Sequence, residues 1–288
     1  MKRFALLLAL LAGCADDAAA PTPPAGPGIR CESPKGVSTM VIARFGFVRA
    51  DTTRAGVSDG FDLDDHDTAP GESVGCGRQD YTAPDGRHGV DNQLALLIPV
   101  VDSMTGGALD GAIQTAINGG QLLMTITLED LDNRCNDPSV TMVFRRVTGM
   151  PFVGSDMRVD PGQTFDQTRD LPVTRAHGRV ENGVLVTDAT NIPLPVEVLD
   201  ARFTLNLYGA RMRLRLDDAG GAEGIIGGGI SISEFTATAE NFTIPMSLRG
   251  AIGTTMRLVA DLAPDDNGRC QQLSAAVSLS LRPAFVNP

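Results

Sequence analysis

Apolar residues recur at every second position through several stretches of the chain. Leu123–Leu128 (LMTITL), Val140–Arg145 (VTMVFR) and Val277–Arg282 (VSLSLR) all alternate apolar with polar side chains. The longest case is Arg202–Leu216 (RFTLNLYGARMRLRL), where Phe203, Leu205 and Leu207 share a face, and Met212, Leu214 and Leu216 lie opposite Arg211, Arg213 and Arg215. A period of two puts one face in a core and the other in water, which predicts antiparallel strands. The Gly209-Ala210 interruption predicts a tight hairpin or a bulge. Helical spacing is rarer. Leu109, Ala112, Ile113, Ala116 and Ile117 fall on one helical face and Asn118-Gly119-Gly120 follows as a stop. Asn92–Met104 is apolar nearly all round and predicts a buried helix, capped by Asp91 and bent by Pro99; Met246–Leu262 is a third helical stretch despite Gly250 and Gly253. These elements predict a mainly β fold of antiparallel, sandwich-like sheets with two or three covering helices.

Composition agrees with this and narrows the function. The 288 residues hold 27 Asp against 8 Glu and 22 Arg against 2 Lys, with 32 Gly and 18 Pro. Asp, Gly and Pro break or cap helices, so the bias disfavours a helical bundle. The net charge of −11 argues against a nucleic-acid partner.

The N-terminus carries an address. Lys2 and Arg3 precede a ten-residue apolar run, Phe4–Gly13, which is too short to span a bilayer and predicts a signal peptide over residues 1–13. The run ends in Leu11-Ala12-Gly13-Cys14, which resembles the lipobox of bacterial lipoproteins. The resemblance implies cleavage before Cys14 and lipidation of its sulfur. It also implies a membrane partner reached through the lipid, in the cell envelope, and Ala15 after the cysteine implies the outer membrane. The segment that follows (ADDAAAPTPPAGPG) has almost no bulky apolar residue, so residues 14–30 predict a lipid anchor and a solvated, partly polyproline II linker. After Gly28 nothing resembles a linker, and residues 31–288 predict a single mainly β domain. Cleavage would remove two bases and leave a charge of −13. It would also leave Cys31, Cys76, Cys135 and Cys270, an even number that predicts two disulfides in an oxidising compartment. Three pairings are open, and no CxxC spacing supports a zinc site.

The densest charge lies in an Asp-rich loop over residues 59–91. Eight Asp and Glu72 face only Arg78 and Arg87 there, a net −7. So many carboxylates must be solvated or share a cation. Gly-punctuated, oxygen-rich loops suit Ca2+, which takes six to eight oxygen ligands. Asp85-Gly86 with Gly89-Val90-Asp91-Asn92 resembles the Asp-Gly-Asp-Asn loops of thrombospondin type 3 calcium repeats over fewer than a dozen residues. A second acidic turn spans Glu129–Asn133. The candidate metal ligands are therefore Asp62, Asp64, Asp85, Asp91, Asp130 and Asp132, with Ca2+ as the candidate cofactor and a structural role expected. The competing reading is a set of Asx turns and caps on a solvated loop.

Other patterns fail on context. An EF-hand would not have His66 two places after Asp64. Gly56-Val57-Ser58-Asp59-Gly60 fits G-x-S-x-G but lacks the strand before and helix after that a nucleophile elbow needs. His66 and His88 sit among carboxylates, without a metal-binding spacing. Gly220-Gly221 and Gly227-Gly228-Gly229 read as tight turns between strands. Arg211, Arg213 and Arg215 read as a solvent face paired with acids on a neighbouring strand. With no catalytic set assembled, the sequence predicts a membrane-anchored envelope lipoprotein with a non-enzymatic binding or structural domain, its ligand or protein partner unidentified. The alternative is a secreted hydrolase acting on glycans with two Asp as acid and base, a reading that the absence of Trp disfavours.

Overall fold

In the computed structural model, which describes residues 31, 38–169, 173–198, 201–239 and 246–287, eight strands follow one another around a closed ring. The described residues form eleven strands in all: β1 (Ser38–Phe47), β2 (Met124–Glu129), β3 (Asp137–Thr148), β4 (Gln163–Gln167), β5 (Thr174–Glu181), β6 (Val184–Thr187), β7 (Thr190–Val198), β8 (Ala201–Leu216), β9 (Ala222–Ser231), β10 (Leu262–Pro264) and β11 (Cys270–Asn287). The ring runs β1-β2-β3-β5-β6-β8-β9-β11 and closes by β11 pairing with β1, every pair antiparallel. Three strands lie off the ring. β4 pairs parallel with the end of β11 and antiparallel with β3, β7 pairs with β8, and β10 with β11.

The antiparallel expectation holds, and the sandwich does not. A sandwich needs two sheets with free edges, whereas the β1–β11 register, Met40 opposite Pro283 through Phe47 opposite Val277, leaves no break between first and last strand. Closure removes the exposed edges that an open sheet would present.

Register shows what fills the barrel. Met40, Ile126 and Phe144 are cross-strand partners, as are Val180, Leu185 and Leu214, and Ile226 pairs with both Met212 and Val277. Partners share a face, and all of these are buried, Met40, Ile126, Leu185, Met212 and Leu214 completely. The interior is therefore packed by its own side chains. The opposite face carries Arg213, Arg215 and Glu223. Arg202–Leu216 lies within one continuous strand, β8, and its Gly209-Ala210 interruption is a bulge, with the register against β9 shifting between Tyr208 and Arg211.

Among the described residues four α-helices cover the barrel, one more than the upper expectation. They are α1 (Leu94–Thr105), α2 (Leu109–Asn118), α3 (Ile232–Ala239) and α4 (Met246–Val259). Of the predicted face of α2, Ile113, Ala116 and Ile117 are buried and Leu109 and Ala112 half-buried, and Gln114 Nε2 donates to the Ala43 carbonyl at 3.0 Å. α1 contains Pro99 but is only half covered, with Leu96 and Val100 about half exposed (49 and 53 %). Its N-cap is Gln93, not Asp91, and the Gln93 amide donates to Ser274 Oγ on β11. Among the described residues no helix is long and apolar enough to cross a membrane. Residues 1–30, including Cys14 and its linker, lie outside the described residues. Two disulfides are formed, Cys31–Cys135 and Cys76–Cys270, the second tying the acidic loop to the start of β11.

Candidate metal centre

The acidic loop is docked on the barrel by the arginine stripe. Arg213 Nη2 reaches Asp59 Oδ1 at 2.7 Å and its guanidinium lies 5.2 Å from the centre of the Phe61 ring. Arg211 Nη1 donates to the Asp62 carbonyl at 2.7 Å and pairs with Asp65. Arg211 and Arg213 thus answer acids of the loop, whereas Arg215 lies directly opposite Glu223 on the neighbouring strand, as expected. The glycine run Gly227–Gly229 lies within β9, not between strands, and its first member makes room for the loop. A Cβ on Gly227 would sit 2.7 Å from Phe61 Cδ2. Short bridges, Phe61 with Asp91 and Tyr81 with Val90, fold the loop on itself around Tyr81, Ala83, Val90 and Ala95.

This folding brings three of the six candidate aspartates together. Ligand atoms of Asp62, Asp64 and Asp91 lie within 4.8 Å of one another. Asp91 is buried, and its Oδ2 accepts the Leu63 amide at 2.7 Å. Asp62 and Asp64 both accept from the His66 amide. Asp85, Asp130 and Asp132 are not part of this group. Asp85 pairs with Arg87 at 2.9 Å, while Asp130 and Asp132 are exposed in the β2–β3 turn, where the Asp132 amide donates to Asp137.

Two further carboxyls complete the cluster, and neither stood among the sequence candidates. Asp80 is nearly buried, accepts the Thr68 amide at 2.7 Å and hydrogen-bonds the Asp91 carboxyl. Asp261, between α4 and β10, is 1 % exposed and accepts from both the amide and the hydroxyl of Ser274. Asp80 is one of eight Asp in its loop and nothing singles it out. Asp261 lies in the apolar run Val259-Ala260-Asp261-Leu262, and a lone acid between apolar residues was the available signal.

Electrostatics follow from burial. Loss of water pushes the Asp91 carboxyl up to about 9, reinforced by Asp261, Asp64 and Asp80. Asp261 is pushed up to about 7 by burial, against its Ser274 hydrogen bonds and with help from Asp80. Asp64 and Asp80 are raised for the same first reason. Among the described residues no salt bridge reaches Asp62, Asp64, Asp80, Asp91 or Asp261. The cluster can therefore be neutralised by protons or by a cation. An all-oxygen set suits a hard divalent ion and offers no nitrogen or thiolate for zinc. His66 faces Glu72 at 3.2 Å, and His88 lies 4.0 Å from Asp67 on the surface.

Ser58, the middle of the G-x-S-x-G match, is buried and accepts a hydrogen bond from Asn92 Nδ2, so its hydroxyl is a structural group. Comparison with known proteins finds no matching family model, no similar curated protein and no similar solved structure.

Proposed function

We propose that the chain is a lipid-anchored cell-envelope protein whose β domain acts by binding or by structural display, and that its Asp62, Asp64 and Asp91 hold a structural Ca2+. The supporting observation is the convergence of those three carboxylates, with Asp80 and Asp261 behind them, on a loop otherwise held to the barrel by Arg211, Arg213 and Phe61. Buried side chains such as Met40, Ile126, Leu185, Met212 and Leu214 fill the barrel, so a partner would meet the outer surface. Lipidation at Cys14 would hold the domain at a membrane, and the Pro/Ala-rich linker would keep it clear of the headgroups.

The hydrolase reading gains no support from the cluster. Two catalytic carboxylates must touch substrate across a cleft, and the paired Asp80 and Asp91 are 9 % and 2 % exposed. Two experiments test the proposal. Expression of the full chain in a Gram-negative host with labelled palmitate should give a labelled, membrane-sedimenting protein, and Cys14→Ala should abolish both. Elemental analysis of protein purified without chelator should find about one calcium per chain. Unlabelled protein in the soluble fraction would remove the anchor, and metal-free protein that takes up none from Ca2+ buffer would remove the ion.

A further inference from the structure

Beside Asp64 of the carboxylate cluster lies a buried polar atom that no hydrogen bond satisfies. Thr68 is 1 % exposed and its hydroxyl has no hydrogen-bond partner, although its amide is bound to Asp80. A buried hydroxyl left unpaired costs about 1–3 kcal/mol, so such an atom calls for a partner, which a bound cation can be. Gly75 lies beside this hydroxyl. A Cβ on Gly75 would lie 3.0 Å from Thr68 Oγ1, 3.7 Å from the Asp261 carbonyl oxygen and 3.8 Å from Asp64 Oδ2. A hydroxyl, a main-chain carbonyl and a carboxylate thus all lie within 3.8 Å of the point that a side chain at residue 75 would occupy. Gly75 stands in a left-handed turn (φ 55°) together with Cys76 (φ 53°), whose disulfide to Cys270 anchors the turn. Cys76 shows that this turn accepts a side chain at such a φ, so a glycine at 75 also serves the space it leaves.

We propose that the Ca2+ of the Asp62, Asp64 and Asp91 centre is completed inward by the Thr68 hydroxyl and the Asp261 carbonyl, with Asp64 common to both sides. This rests on the calcium reading given above. Three carboxylates alone supply three oxygens if each binds through one, short of the six to eight that Ca2+ takes. Thr68 and Asp261 add two neutral oxygens without adding charge to a crowded cluster. They also explain why the cluster draws on segments nearly two hundred residues apart. The ion would tie the acidic loop to the α4–β10 connection beside the Cys76–Cys270 bond.

The test is calorimetric titration of chelator-stripped full chain with CaCl2, on wild type, Asp62→Asn, Thr68→Val and Thr68→Ser. Valine keeps the shape of threonine and removes the hydroxyl, while serine restores it. The expected result is a dissociation constant raised about tenfold or more by Thr68→Val and by Asp62→Asn, and close to wild type for Thr68→Ser. Wild-type affinity in Thr68→Val, with affinity lost in Asp62→Asn, would overturn the inner ligands and leave the outer centre standing. No Ca2+ binding by wild type would overturn both. Should Thr68→Val not fold, Eu3+ luminescence lifetimes of wild type in H2O and D2O decide, because they count bound waters. About two or fewer fit an ion that also takes Thr68 and Asp261, and about three or more contradict it.

Discussion

Moving the metal-free protein from pH 5 to pH 8 should destabilise it, and Ca2+ should reverse the loss. With ligand atoms within 4.8 Å of one another, each ionised pair among Asp62, Asp64 and Asp91 repels by about 3 kcal/mol at an effective dielectric constant of about 20. Three such pairs approach the whole stability of a typical domain, about 5–15 kcal/mol. Protons relieve the repulsion at low pH. Asp91 holds its proton to about 9 in the fold, against an ordinary value of 3.8, and Asp261 to about 7. Because both are raised, the stability they contribute is complete below about pH 4 and is lost as pH rises toward 7 and then 9, by at most about 1.4 kcal/mol per pH unit for each group. The carboxyls that the fold lowers, such as Asp137 and Asp85, exert their effect below about pH 4 and do not offset this window. Ca2+ at a hundred times its dissociation constant adds about 2.7 kcal/mol, which for a chain of this size is roughly 5–10 °C in Tm. The assay is thermal unfolding by circular dichroism in EDTA and in excess Ca2+ at both pH values. The Ca2+ shift should be several degrees at pH 8 and less than half of that at pH 5. Equal shifts at the two pH values, or an EDTA Tm that rises from pH 5 to pH 8, would refute the reasoning.

Further outcomes follow from the same contacts. Asp80→Asn keeps an acceptor for the Thr68 amide while removing one charge, and should raise the EDTA Tm at pH 8 by a few degrees, about 1 kcal/mol, while reducing the Ca2+ response. Gly227→Ala drives a methyl to 2.7 Å from Phe61; a loss of about 1–3 kcal/mol is expected, with faster hydrogen exchange at residues 59–63, and unchanged exchange would mean that Phe61 does not hold the loop. Arg213→Ala removes the 2.7 Å pair with Asp59 and the contact with the Phe61 ring, for about 1 kcal/mol in denaturant unfolding. The Cys76→Ser/Cys270→Ser double variant frees the turn that carries Gly75 and should weaken Ca2+ in calorimetry, whereas Cys31→Ser/Cys135→Ser should not.

Elements with one wet face were legible in the sequence. Arg202–Leu216 alternates because Met212 and Leu214 face the interior while Arg211 and Arg213 face the loop, and α2 shows its buried stripe at helical spacing. β1 was not legible. Met40–Ala43 is buried on both faces, so it has no alternation, and without it the ring cannot be closed. Closure itself depends on pairing residues about 240 positions apart in sequence, for which no local pattern exists. β9 was hidden by its glycines, which read as turns but are spaces for Phe61 and Gln272. At the candidate centre, charge density marked Asp62, Asp64 and Asp91, because they lie close in sequence. Asp261 reaches the cluster through tertiary folding alone, Thr68 lies in the same loop but carries no charge to mark it, and Asp85 looked equivalent to its neighbours until its partner proved to be Arg87.

The most direct measurement is a crystal structure of the chain grown with Ca2+, with anomalous data collected at a long wavelength. The expected result is a single strong anomalous peak with Asp62, Asp64 and Asp91 oxygens about 2.3–2.6 Å away and Thr68 Oγ1 turned toward it. A map in which those carboxylates are well ordered at saturating Ca2+ with no ion between them would contradict the metal centre.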